Sequence, residues 1–331
     1  MPGLVEIHTP DELAGLEPGG VTPVTTESLL HEAPDVHWGL LDAHDILDAR
    51  CSLWWKQVPS HPTQRLGVIG HYAAADGLRG NELLKHACAQ LAAKGCTVAV
   101  GPMDGNTWRR YRFITERGNE PTFFLEPDNP DEWPQHFVAA GFAPLATYTS
   151  AMNADLGRPD PRAQAISENI AGMSITIRQA FAAQMEEELR RVYAISLASF
   201  QKNFLYSPLE EADFLAQYRK ILPYFRPELM LIAERNEQPV GFLFALPDVL
   251  KPKRQEPNDT VIIKTVAVIP ECAAIGLGTL LVARAQEAAR ELGFKRAIHA
   301  LMHESNRSRN ISLHSAVTMR RYTLFSRPLS P

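Results

Sequence analysis

The stretch VIIKTVAVIPECAAIGLGTLL (261–281) constrains the fold most. A β-branched run, TVIIKTVAVI (260–269), reads as a strand and stops at Pro270. Two glycines, Gly276 and Gly278, then open TLLVARAQEAARELG (279–293). This reads as a helix, with Gly293 in the position that ends one. A short strand, KRAIHALM (295–302), and Asn306 follow. A strand feeding a glycine loop and a helix points backbone amides and the positive helix end at one spot, so it suits an anion.

The first half repeats the layout. RLGVIGHYAA (65–74) is strand-like, ADGLRG is the loop, NELLKHACAQLAAKG (81–95) a helix and CTVAVGPM (96–103) a strand before Asn106. Gly80 and Gly95 are 15 apart, as are Gly278 and Gly293. This is the period of a duplicated domain rather than of a solenoid. LGRPDPRAQA (156–165), with two prolines and a glycine, is the best linker. The expected division is 1–157 and 165–331. A chain of 331 residues with 45% apolar content fits two such domains.

Upstream of the second loop, 174–181 reads as a strand, 185–200 and 210–222 as helices, and 229–246 as a hairpin. The order predicts an α/β (α+β) fold: in each half a mixed, mostly antiparallel sheet flanked by helices.

Three anion-binding readings compete for the loop. A P-loop needs Lys and Ser/Thr after its last glycine, but Thr279 and Leu280 follow Gly278. A dinucleotide fingerprint needs a third glycine, and position 281 is leucine. A cradle of backbone amides holding a pyrophosphate fits, because glycines at 276 and 278 let the backbone approach closely.

At this point the second half resembles the GNAT N-acetyltransferase superfamily. VAVIPECAAIGLGTLL is similar to its acetyl-CoA pyrophosphate loop, and HESNRS to the later segment whose asparagine meets the CoA arm. HFVAAGFAPLATYTSAM (136–152) resembles the family's closing helix, Gly-Phe turn and last strand, so the chain resembles a tandem GNAT protein. The resemblance implies an N-acetyltransferase moving acetyl from acetyl-CoA to an amine by direct attack. A non-catalytic acyl-CoA sensing module is the alternative. It implies cofactor contacts at Val266, Ala267, Val268, Ala273, Ala274, Ile275, Gly276, Leu277, Gly278, Thr279, Asn306 and Arg309. The family's usual Gln or Arg before the loop is Ala273 here. Its glutamate near the start of the central strand is missing, leaving Asp259 as the nearest carboxylate. Its tyrosine falls at Leu313, beside His314. His314 and Tyr322 are the candidate catalytic groups, each also fitting a packing or surface role. The first half is expected to be a degenerate copy that shapes the acceptor site or a homodimer.

Net charge −5 argues against nucleic acid or a membrane surface as partner. A small-molecule or peptide amine is the expected partner. WRRYR (108–112) therefore reads as a solvated helix face or internal salt links. The aromatic set Phe200, Phe204, Tyr206, Phe214, Tyr218, Tyr224 and Phe225 reads mostly as core, with one or two lining an acceptor pocket. Cys51, Cys88, Cys96 and Cys272 have no metal spacing, so no metal is expected. The start MPGLVEIHTPDEL lacks a signal-peptide pattern and no apolar run nears the roughly 18 residues of a membrane helix. The expected location is the cytoplasm.

Overall fold

A computed structural model describes residues 3–306, 311 and 314–330. The first half contains β1 (Gly3–Ile7), α1 (Pro10–Ala14), β2 (Glu17–Pro18), α2 (Thr26–Glu32), β3 (Val36–Leu41), β4 (Ile46–Trp54) and β5 (Leu66–Ala74). It continues through α3 (Gly77–Ala93), β6 (Val98–Gly101), β7 (Phe113–Glu116), α4 (Trp133–Ala139) and β8 (Ala143–Asn153). The second half contains α5 (Arg162–Ala171), β9 (Ile175–Gln179), α6 (Met185–Phe200), α7 (Glu211–Arg219), β10 (Met230–Arg235), β11 (Gln238–Pro247) and α8 (Leu250–Lys253). It closes with β12 (Thr260–Val268), α9 (Leu277–Glu291), β13 (Arg296–His303) and β14 (Val317–Pro328).

The strands form one sheet in the order β1-β3-β4-β5-β6-β14-β8-β13-β12-β11-β10-β9, with β2 on β4 and β7 on β14. The repeat seen in the sequence is a structural one. β5 runs parallel to β6 and β12 parallel to β13, with α3 and α9 as the crossovers. The other pairings are antiparallel apart from the short β2–β4 contact. This is the mixed, mostly antiparallel sheet expected. Leu83, Leu84, Ala87 and Leu91 of α3 pack into one core, and Leu280, Leu281, Ala285 and Ala289 of α9 into another.

The closing strands trade places. β8, which ends the first half, pairs with β13 of the second. β14, which ends the second half, pairs with β6 and β7 of the first, and with β8. Three local readings also change. Residues 162–165, the end of the stretch read as a linker, open the helix Arg162–Ala171, whose Ile166 and Ile170 pack against the α9 core. The helix read as 81–95 begins at Gly77, so Gly80 lies inside it. WRRYR lies in no helix. No helix among the described residues is long and apolar enough to cross a membrane.

A buried polar cluster ties the segment between β7 and α4 to β14. Arg320 donates from Nη1 to Glu126 Oε2 at 2.5 Å and from Nε to the Arg117 carbonyl at 2.7 Å. The other Glu126 oxygen accepts from Tyr322 Oη. Both side chains of the Arg320–Glu126 pair have no solvent exposure. Glu126→Ala strands the guanidinium without its partner, and the expected loss is ~3–5 kcal/mol in urea unfolding. Arg320→Met combined with Glu126→Leu should recover most of that loss. A Glu126→Ala protein as stable as the parent contradicts this account.

Candidate active site

β12 and β13 pair only from Thr260 to Ile263 against Arg296 to His299. β13 is paired with β8 on its other side from Ala297 onward, and past the split Met302 faces Thr149 and His303 faces Tyr148. On its other side β12 stays paired with β11. Its register slips between Phe244 and Ala245, opposite Thr265 and Ile263, so Lys264 is the extra residue of a bulge. Among the described residues, the edge of β12 beyond Ile263 that faces the split has no strand partner. Such an edge presents backbone N–H and C=O groups to whatever enters.

The loop after β12 ends in a helix start with no side-chain cap. Gly276 is in the left-handed region at φ 83° and α9 begins at Leu277. Its first intrahelical bond runs from the Leu280 amide to the Gly276 carbonyl at 3.1 Å. The amides of 277–279 thus have no partner within the helix and stand at its positive end. A Cβ on Gly276 meets Ile166 Cδ1 at 3.1 Å, and one on Gly278 meets Ile311 Cδ1 at 3.3 Å.

The first half lacks this opening. Asp76 caps α3, accepting from the Arg79 amide at 2.8 Å. A carboxylate therefore already holds that helix end. The split between β5 and β6 is also filled by protein. The Met103 amide donates to the Ile69 carbonyl at 2.9 Å, and Asp104 Oδ1 accepts from the His71 amide at 2.6 Å.

A cleft of about 960 Å³ opens at the β12–β13 split. Lys264, Thr265 and Val266 line it from β12; Ala300, Met302 and His303 line it from β13. Phe200, Phe204, Tyr206 and Tyr218 form part of its wall, more of the aromatic set than expected. The first half supplies Trp108, Arg109, Tyr111, Arg112 and Tyr148. Trp108 Nε1 donates to the Ser207 carbonyl at 2.7 Å, joining the halves there. WRRYR is therefore a cleft wall and not a solvated helix face. Arg109 is held by the His31 and Glu32 carbonyls at the end of α2, and Arg112 is only 5% exposed.

Burial governs the titration of the cleft. It pushes the Lys264 ammonium down to about 8, with the Arg112 charge adding to the effect. Desolvation likewise lowers His303, and Arg112 adds to that shift against a weaker pull from Glu304. His303 Nδ1 accepts from the Ser305 amide at 3.1 Å, which leaves Nε2 as the protonated nitrogen. Burial raises the Tyr148 hydroxyl well above the usual tyrosine range.

The expected site residues divide. Val266 and Asn306 line the cleft. Ala267 points away into the core under α6, and Val268 packs with the α9 core. Ala273 to Thr279 form the loop and first turn described above. Arg307, Arg309 and Leu313 lie outside the described residues. His314 is exposed and does not line the cleft; its charge acts on Asp160. Tyr322 is fully buried, bonded to Glu126 and to Ser150 Oγ at 2.9 Å. Asp259 is paired with Lys251 Nζ at 2.6 Å. The cleft-lining groups that the sequence reading missed are Arg112, Tyr148, Lys264 and His303. Of these only Arg112 had a signal, the arginines set among aromatics.

Residues 189–315 match the sequence model of the acetyltransferase (GNAT) family. No curated protein matches the chain. Solved structures similar across it include these three. A tandem GNAT protein from the clavulanic acid biosynthesis pathway is 14% identical with a TM-score of 0.54, over 100% of this chain and 99% of that one. A probable N-acyltransferase from Enterococcus faecalis is 12% identical with a TM-score of 0.55, over 99% and 72%. The third is a glucosamine N-acetyltransferase region in a fungal multi-domain beta-N-acetylglucosaminidase. It is 13% identical with a TM-score of 0.54, over 91% of this chain but only 34% of the fungal one. At these identities the likeness is one of fold.

Proposed function

With a GNAT-family acetyltransferase domain at residues 189–315, the chain has a fold built for acyl transfer, and we propose that it moves an acetyl group from acetyl-CoA to an amine. The observation that carries this reading is the contrast between the two helix starts. α9 offers uncapped amides beside an open strand split, whereas α3 is capped by Asp76 beside a filled one. The donor site then lies in the second half, and the first half walls the acceptor side.

Acetyl-CoA supplies an activated thioester. The amides from Ala274 to Thr279 hold its pyrophosphate, and the free edge of β12 at Val266 directs a backbone N–H at the thioester carbonyl. The acceptor nitrogen bonds to the acetyl carbon, the C–S bond breaks, and the sulfur leaves as a thiolate that ends with the proton the acceptor sheds. The acceptor must shed a proton. Lys264 is the cleft base best suited to take it, since its ammonium loses its proton near pH 8. Asp259 is paired elsewhere, and His314 and Tyr322 lie off the cleft. Tyr148 holds its proton too tightly to be the first acceptor.

A pH dependence follows. Below about 8 Lys264 is charged and cannot accept, so kcat/KM rises with pH through about 8 and then levels. Lys264→Met should lower the plateau by ~100-fold or more and remove that limb. An unchanged limb in Lys264→Met rules out the assigned base. The overall reading is tested by thiol release from acetyl-CoA with a panel of amines. Tight CoA binding without turnover on any amine favours the non-catalytic acyl-CoA-binding reading, which the lack of a free carboxylate at β12 keeps in view.

A further inference from the structure

Arg112 is buried in the cleft wall with a charge that the transfer chemistry leaves unused. It is 5% exposed and its backbone sits in the left-handed region at φ 66°, a conformation unusual for arginine and concentrated at functional sites. Its amide donates to the Pro102 carbonyl at 2.9 Å, which fixes that turn. The guanidinium carbon lies 4.0 Å from the Tyr111 ring centroid and 4.2 Å from that of Tyr148. The two ring planes stand at 86° with their centroids 5.5 Å apart, so the rings meet the guanidinium from two directions and do not sandwich it. Nε and Nη1 are buried and have no hydrogen-bond acceptor among the described residues.

The nearby carboxylates are committed to other groups. Of those lining the cleft, Glu126 is bonded to Arg320 and Tyr322, and Asp128 to Arg117. Glu32 holds His71 Nε2 at 2.6 Å. The cleft groups that feel the Arg112 charge are Lys264, His303 and the Tyr148 hydroxyl, and none of them is a carboxylate. Buried donors without acceptors are rare and costly in a finished fold. This one lines a cleft, so a ligand can complete it.

We propose that Arg112 binds a carboxylate on the acceptor, which makes the substrate class a small amine that also carries a carboxylate, of the amino-acid type. Geometry favours this group over a phosphate. The planar guanidinium matches a planar carboxylate. Phosphate sites are usually built on helix ends or amide nests, and Arg112 sits on the segment between β6 and β7 with neither. Lys264, whose ammonium feels the Arg112 charge, lies two residues before Val266 on β12, and Arg112, Lys264 and Val266 line the same cleft. The aromatic wall at Tyr148, Phe204 and Tyr206 suits an apolar side chain on that molecule. The proposal rests on the acetyltransferase reading, and its test separates the two.

Thiol release from acetyl-CoA is measured with the proteinogenic amino acids, their decarboxylated amines and phosphoethanolamine. The parent should use its best amino acid at least ~100-fold better in kcat/KM than the matching decarboxylated amine. Arg112→Met should erase that preference and Arg112→Lys restore part of it, with CoA affinity unchanged as the control for folding. Equal use of the decarboxylated amine, preference for phosphoethanolamine, or a preference that survives in Arg112→Met overturns the proposal. In parallel, N-acetyl amino acids are titrated by tryptophan fluorescence, since Trp108 lines the cleft. Binding that is lost in Arg112→Met supports the carboxylate site even if no amine turns over, and then only the acetyltransferase reading falls. Absence of both turnover and binding overturns the carboxylate site.

Discussion

Expressed separately, residues 1–157 and 158–331 should each fail to give a folded monomer. Without β14, the fragment 1–157 leaves β6 with no antiparallel neighbour and β8 with neither of its partners. It also exposes Phe137 and Phe142, which pack with Phe325 of β14. Glu126 loses Arg320, leaving a buried carboxylate unpaired. The fragment 158–331 loses β8 from between β13 and β14, and the long edges so exposed invite aggregation. Both losses cut through the centre of the sheet, so the effect should be complete rather than graded. Mixing the two fragments during refolding should recover a one-to-one complex with the circular dichroism of the whole chain. A cooperative, monomeric fragment 158–331 contradicts the exchange of β8 and β14.

The second large effect concerns the loop. Gly278→Asp should weaken CoA binding by at least ~100-fold, because it sets a carboxylate against the pyrophosphate at the start of α9. Gly278 is the better probe than Gly276. Gly276 has φ 83°, and a Cβ there meets Ile166 of α5, so a substitution strains the fold itself. Gly278 has an ordinary φ, and its added Cβ meets the flexible end of Ile311 at 3.3 Å and Val268 Cγ2 at an ordinary 3.8 Å. Ala274→Asp is a second test at an exposed position. Calorimetry with CoA gives the affinity, and thermal unfolding shows whether the fold is intact. CoA bound at parental affinity by both variants places the cofactor elsewhere.

Local elements were legible where glycine and proline punctuate them. β12, α6, α9 and the β10–β11 hairpin fall within a few residues of their expected bounds. Pairing over long range was not. β8 and β14 each read as the last strand of its own half, and alternation along a strand says nothing about its neighbours. The prolines at 159 and 161 masked α5, although Pro161 stands at its N-cap. In ADGLRG the aspartate was the signal. It caps α3 and explains why this copy of the loop is closed, but placing the helix start after Gly80 hid that role. Arg112 was misplaced because net charge argues about the surface as a whole. A single guanidinium between tyrosines escapes that average. Lys264 was passed over as the place where a glutamate was absent.

The central claim is that one acetyl-CoA binds per chain, on α9 and not on α3. The direct measurement is a crystal structure of the chain with acetyl-CoA. The account predicts one molecule, with its pyrophosphate on the amides between Ala274 and Thr279 and its thioester between β12 and β13 near Val266. Pyrophosphate density at Gly77 on α3, or a thioester lying outside the β12–β13 split, would contradict it.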